Sequence, residues 1–127
     1  ASNDRVRSRI MPINKRYPLK ALLEACRKYI KKTGRQITFE YLLIGGVNSD
    51  LQNAQELSKI LKGMISKVNL IPANQVRELG IETPKKLEVF YFRDCLLKNG
   101  INVTLRRPRG QDIEAACGQL RLKYVKE

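Results

Sequence analysis

Histidine is absent from the 127 residues. With it go histidine triads, imidazole general bases and histidine metal sites. Cysteine is scarce: Cys26, Cys95 and Cys117 stand far apart and are odd in number. That pattern makes neither a disulfide framework nor a zinc site. It fits a reducing, cytoplasmic compartment. No apolar run approaches the roughly 18 residues that span a bilayer, so no membrane partner is expected. The opening stretch, ASNDRVRSR, is polar throughout and carries no secretory signal. It starts without Met and reads as mid-loop, so the chain is expected to be a fragment of a longer protein.

Acidic residues are also few. Twelve Asp and Glu face 25 Lys and Arg, a net charge of +13. Such an excess points to a polyanionic partner, nucleic acid first. The other readings are plain solubility and the lysine-rich surface of a heat-adapted protein. Hydrophobic residues, at 43%, suffice for the core of one domain.

Residues 18–33 place Leu19, Leu22, Leu23, Cys26 and Ile30 at helical spacing, with Pro18 before and Gly34 after. QITFEYLLI (36–44) is β-branched, aromatic and nearly all apolar, as in a strand. GGVNSD follows as a turn whose Ser49 or Asp50 can cap a helix over 51–62. KVNLIP (67–72) is the next strand. Thr83-Pro84 opens a helix to Asn99, and INVTLRR (101–107) is the last strand. Helix, glycine, strand thus occurs three times, which predicts parallel strands with crossover helices. The fold class expected is α/β, a parallel-stranded partial (β/α) barrel of about three βα-type units. Residues 1–107 carry the repeats and 108–127 form a tail segment with Cys117.

Chemistry in such folds gathers at the C-terminal strand ends. Those ends are Gly45–Asn48, Pro72–Gln75 and Arg106–Gly110. Asn74 and the arginines of RRPRG, Arg106, Arg107 and Arg109, are therefore candidates. The arginines could grip phosphate, or form a solvated loop. Cys26 and Cys95 fall on apolar helix faces and read as core. Cys117 sits among Ala115, Ala116 and Gly118, beyond an arginine-rich turn. Nearby cations favour a thiolate and small neighbours give access, although ordinary packing remains the other reading. Glu40 shares one strand face with Thr38 and Leu42, a face that would line a barrel interior.

RSRIMPINKRYPL, TFEYLLIGGVN, KVNLIPAN, GINVTLRR and RGQDIEAACGQLR together resemble the C-terminal half of the RlmN/Cfr family, in order and along nearly the whole chain. These are radical S-adenosylmethionine (SAM) enzymes that methylate adenosine in RNA. The resemblance, strongest to the RlmN branch, implies methylation of C2 of an adenosine in 23S rRNA and in tRNA. The Cfr branch, which acts on C8, has a similar tail motif. The resemblance makes Cys117 the cysteine that carries the methyl group and Asn74 a SAM ligand. It implies two cofactors, SAM and a 4Fe–4S cluster. The cluster motif, Cys-x-x-x-Cys-x-x-Cys, is not in this sequence, so an N-terminal half of the same enzyme is an expected partner and the chain alone should be inactive. Asn74-Gln75 stands where the family has Asn-Pro, and Gly110-Gln111-Asp112 where it has Gly-Asp-Asp. A sulfur that visits both SAM and a base must move, so residues 108–122 are expected to be mobile. A basic RNA-binding module without chemistry is the reading from another class.

Overall fold

The computed structural model describes residues 1–106. Their elements are α1 (Asp4–Ile10), a 3-10 turn (Pro12–Lys15), α2 (Leu19–Thr33), β1 (Ile37–Leu43), α3 (Leu51–Leu61), β2 (Ser66–Pro72), a second 3-10 turn (Arg77–Leu79), α4 (Lys86–Lys98) and β3 (Asn102–Leu105).

Local chemistry sets the boundaries. Gly34 ends α2 in the left-handed conformation, φ 69°, and its N–H donates to the Ile30 carbonyl. A side chain there would be strained. The Asp50 carboxylate caps α3 by accepting from the Asn53 N–H at 2.9 Å. At the start of α4 the Glu88 carboxylate accepts from the Lys85 N–H at 3.1 Å. Anions suit these positions because the first-turn N–H groups lack helical partners.

The three strands lie in the order β1-β2-β3, and both pairings are parallel. This is the arrangement that the helix–glycine–strand repeat predicts. One sheet face is covered: Tyr41, Leu43, Val68 and Leu70 pack with Leu23 of α2, Leu57 of α3, and Phe92 and Leu96 of α4. The other face is open. Thr38, Glu40 and Leu42 are exposed there, and Lys67, Asn69 and Ile71 are half-buried. Strands in chain order with their helices on one side follow from right-handed crossovers that never reverse direction. That winding builds a partial barrel; a doubly wound sheet would place helices on both faces.

Beyond residues 1–3 the N-terminal stretch holds a helix that the sequence did not mark. Asn3 caps α1, its side chain accepting from the Val6 N–H at 2.8 Å. Asn14, almost fully buried, donates to Asp4 Oδ1 (3.1 Å) and Ser8 Oγ (2.9 Å), and its side-chain oxygen accepts from Arg7. Asp4 also accepts from the Leu19 N–H at 2.9 Å, tying α1 to the start of α2. Ser2 and Asn3 donate to Asn53 and Glu56 of α3. Polar side chains fold this segment where apolar periodicity is weak.

Candidate functional site

The loops leaving the strand ends are built on one another. After β1, the fully buried Asn48 accepts from the Ile44 N–H and donates to the Leu42 carbonyl, both at 2.8 Å. The Tyr41 hydroxyl donates to the Asn48 carbonyl at 2.9 Å. Burial, the larger influence, pushes that hydroxyl's pKa well above the usual tyrosine range, so it stays a donor. Gly45 donates to the Glu82 carbonyl at 2.8 Å, and a Cβ on Gly45 would stand 2.9 Å from the Thr83 carbonyl oxygen. Only glycine allows the segment before α4 to rest so close. Val76 and Ile81 pair as an antiparallel bridge within the connection from β2 to α4.

Asn74 follows β2 directly and is half-buried. The Ala73 N–H donates to the Leu43 carbonyl at 2.8 Å, so the β1–β2 ladder runs on to the residue before Asn74. Arg106 directly follows β3, its N–H donating to the Leu70 carbonyl at 2.8 Å. Its guanidinium pairs with Glu40 of β1 at 3.1 Å. Between them lies β2, where Asn69 faces Glu40 on one side and Thr104 on the other. A row of carboxylate, amide and hydroxyl thus crosses the open face.

The structure brings Asn74 and Arg106 to one end of the sheet. Arg106 is engaged by Glu40, which competes with any phosphate. Glu40 lies on the open face with Thr38 and Leu42, as the alternation of β1 predicts. Arg107, Arg109, Cys117 and the segment 108–122 lie outside the described residues. Cys95 packs against the core but is half-buried. Cys26 is also half-buried and is not in the core cluster, contrary to its reading as core. Burial raises its thiol pKa, with Arg27 acting the other way. Asn48 and the Gly45–Thr83 approach had no mark in the sequence beyond a turn-forming GGVN. The described residues contain no group of three His, Cys, Asp or Glu that could hold a metal ion, so they do not fit an iron–sulfur cluster. The Asn74 amide at the strand end, with the Glu40 carboxylate and Asn69 amide on the open face, does suit the ammonium, hydroxyl and ring-nitrogen chemistry of SAM.

Comparison with solved structures places this sheet in a class. A radical SAM methyltransferase from Sphaerobacter thermophilus superposes with a TM-score of 0.89 at 46% identity, over 94% of this chain and 35% of that one. A domain of a pyruvate-formate lyase-activating enzyme from Bacteroides vulgatus, 19% identical, shares the fold with a TM-score of 0.66 over 81% of this chain and 60% of that one. The class is the radical SAM α/β fold.

Within it, the resemblance to the RlmN/Cfr family holds along the whole chain. A protein of Thermoanaerobacter sp. (strain X514) named probable dual-specificity RNA methyltransferase RlmN is 52% identical over 127 residues, all of this chain and 37% of its own length. A protein of the same name from Geobacillus thermodenitrificans is 54% identical over 128 residues, 35% of its length. The chain therefore spans little more than a third of the curated relatives it matches. No family model matches it.

Proposed function

We propose that the chain is part of a radical SAM methyltransferase that methylates C2 of an adenosine in 23S rRNA and in tRNA. The observation that carries this reading is the match of about half identity to RlmN-named proteins over all 127 residues, which include Cys117. Adenine C2 is electron-poor and does not attack a methyl donor directly, so the methyl group needs a carrier. Cys117 is that carrier. SAM, when bound, supplies the methyl group to its sulfur, and small neighbours let the sulfur approach the base. Asn74, at the end of β2, holds SAM. Arg106, Arg107 and Arg109 face RNA phosphate. The 4Fe–4S cluster is held by the rest of the enzyme, outside this chain, and the enzyme works in the cytoplasm. Among the described residues no helix is long and apolar enough to cross a membrane.

The test is peptide mass spectrometry of the intact enzyme after incubation with labelled SAM. Label is expected on Cys117, and Cys117→Ala should lose RNA methylation while keeping cluster absorbance. Label on Cys26 or Cys95 instead, or full activity in the variant, would remove Cys117 from the mechanism. Nucleoside analysis of the RNA product should place the methyl at C2; a methyl at C8 would move the chain to the Cfr-like reading.

A further inference from the structure

The positive charge is not spread evenly. Residues 1–35 hold eleven Lys and Arg against Asp4 and Glu24, a net +9 of the chain's +13. Asp4 is engaged with Leu19 and Asn14. On α2, Lys20, Arg27, Lys28, Lys31 and Lys32 are all exposed. Lys20, Arg27 and Lys31 fall along one side of the helix, with Glu24 among them, roughly a quarter-turn round from Leu19, Leu23 and Ile30. At 1.5 Å per residue this stripe spans about 16 Å.

Two ordinary explanations fall short. A heat-adapted surface places its lysines in ion-pair networks. Among the described residues the ion pairs are Arg93–Asp94 and Glu40–Arg106, and neither involves α2. The helix dipole favours cations in the last turn, which accounts for Lys31 and Lys32. It disfavours Lys20 in the first turn and is indifferent to Arg27. An exposed aromatic accompanies the charge at the start of the helix: Tyr17 is 53% exposed with the Arg16 guanidinium 5.6 Å from its ring centre. Cations with an open ring beside them suit a phosphate backbone and its unstacked bases.

We infer that this cationic side of α2, with the Arg16–Tyr17 corner at its start, is an RNA-binding surface that takes phosphates on Lys20, Arg27 and Lys31. This deepens, and rests on, the RNA reading above. It adds a contact face on the helical layer, separate from the strand ends. Arg7 is outside the surface, because its guanidinium is used on Asn14 and the Tyr17 carbonyl.

Binding of the chain to a tRNA transcript by fluorescence anisotropy tests this, across about 50 to 200 mM salt. The variant is K20E/R27E/K31E. The control, K59E/K62E/K98E, makes the same change of charge at exposed positions on and beside α3 and α4. All six side chains are exposed, and circular dichroism checks that each variant folds; K20Q/R27Q/K31Q repeats the test without introducing repulsion. The α2 variants should weaken binding about tenfold or more and lower the slope of log K against log salt by about 2, near 0.7 per lost contact. The control should keep most of the affinity. Equal loss in both sets, or no RNA binding by the unaltered chain, overturns the surface. Binding to phosphatidylglycerol vesicles in place of RNA, lost on α2 reversal, overturns it in favour of a membrane. Should Cys117 carry no methyl while the α2 variants still lose RNA, the methyl-transfer reading fails and this surface stands.

Discussion

Asp4 shows how one side chain can tie a terminus down and make it sensitive to acid. Its carboxylate is held below the usual pKa of 3.8, first by the Leu19 N–H and then by the Asn14 amide. A depressed native pKa means that the stabilisation is fully present above the unfolded value and is lost as pH falls through the native one. The melting temperature of the chain should therefore drop on acidification from about pH 5 to below the carboxylate range. Asp4→Asn keeps an acceptor for Leu19 but removes the charge, so its acid limb should be flatter. Identical limbs in thermal melts would show that Asp4 is not the group responsible. Residues of this kind were not legible beforehand. Asn14 and Asn48 are buried polar groups whose partners are set by chain reversals, and no local pattern announces those. Asn74 and Arg106 could be placed because a strand end is marked by where apolar residues stop. Their neighbours Glu40 and Asn69 appear as a row only once the register is known.

At the scale of elements, Phe92 is the pivot of the covered face. It is 1% exposed, sits on α4, and meets the Tyr41 ring of β1 with centroids 5.1 Å apart. Phe92→Ala should cost about 3–5 kcal/mol, the usual range for truncating a buried aromatic. Urea denaturation should show a lower midpoint with an unchanged slope; a change below about 1 kcal/mol would mean the helix can collapse into the gap. The helices and strands around it were legible because burial on one face imposes a period: 3.6 along α2 and α3, and apolar runs along β1 and β2. Their ends were less so. The last helix begins at Lys86, after the expected Thr83-Pro84, because residues 82–83 are drawn onto Gly45. The first helix was unreadable for a related reason. Seven residues with Val6 as their buried side chain have no stripe to detect.

Taken whole, the molecule is a sheet covered on one side, with the outer edges of β1 and β3 unpaired among the described residues. Free strand edges invite pairing with other chains. Self-repulsion at a net +13 opposes this. At about 1 M salt the Debye length falls to roughly 3 Å and that protection goes. The chain should then associate, while remaining monomeric in dilute buffer, as light scattering would report. A monomer in both conditions would mean that the edges are protected by something other than charge. The parallel sheet itself was readable from the repeat of helix, glycine and strand. The lopsided charge was countable too, but it acquired meaning only when α2 was seen to keep its cations outward and unpaired.

The Glu40–Arg106 contact has a mechanical side. It joins the first strand to the third over the top of the second, two strand spacings apart, or about 9.5 Å. An arginine and a glutamate side chain together are long enough to meet over it without any bend in the sheet. The ion pair then acts as a latch laid across the middle strand. Being exposed, it is worth at most about 1 kcal/mol, too little to fold the chain. Whatever binds the arginine or captures the carboxylate therefore lifts the latch at little cost and bares the strand beneath it.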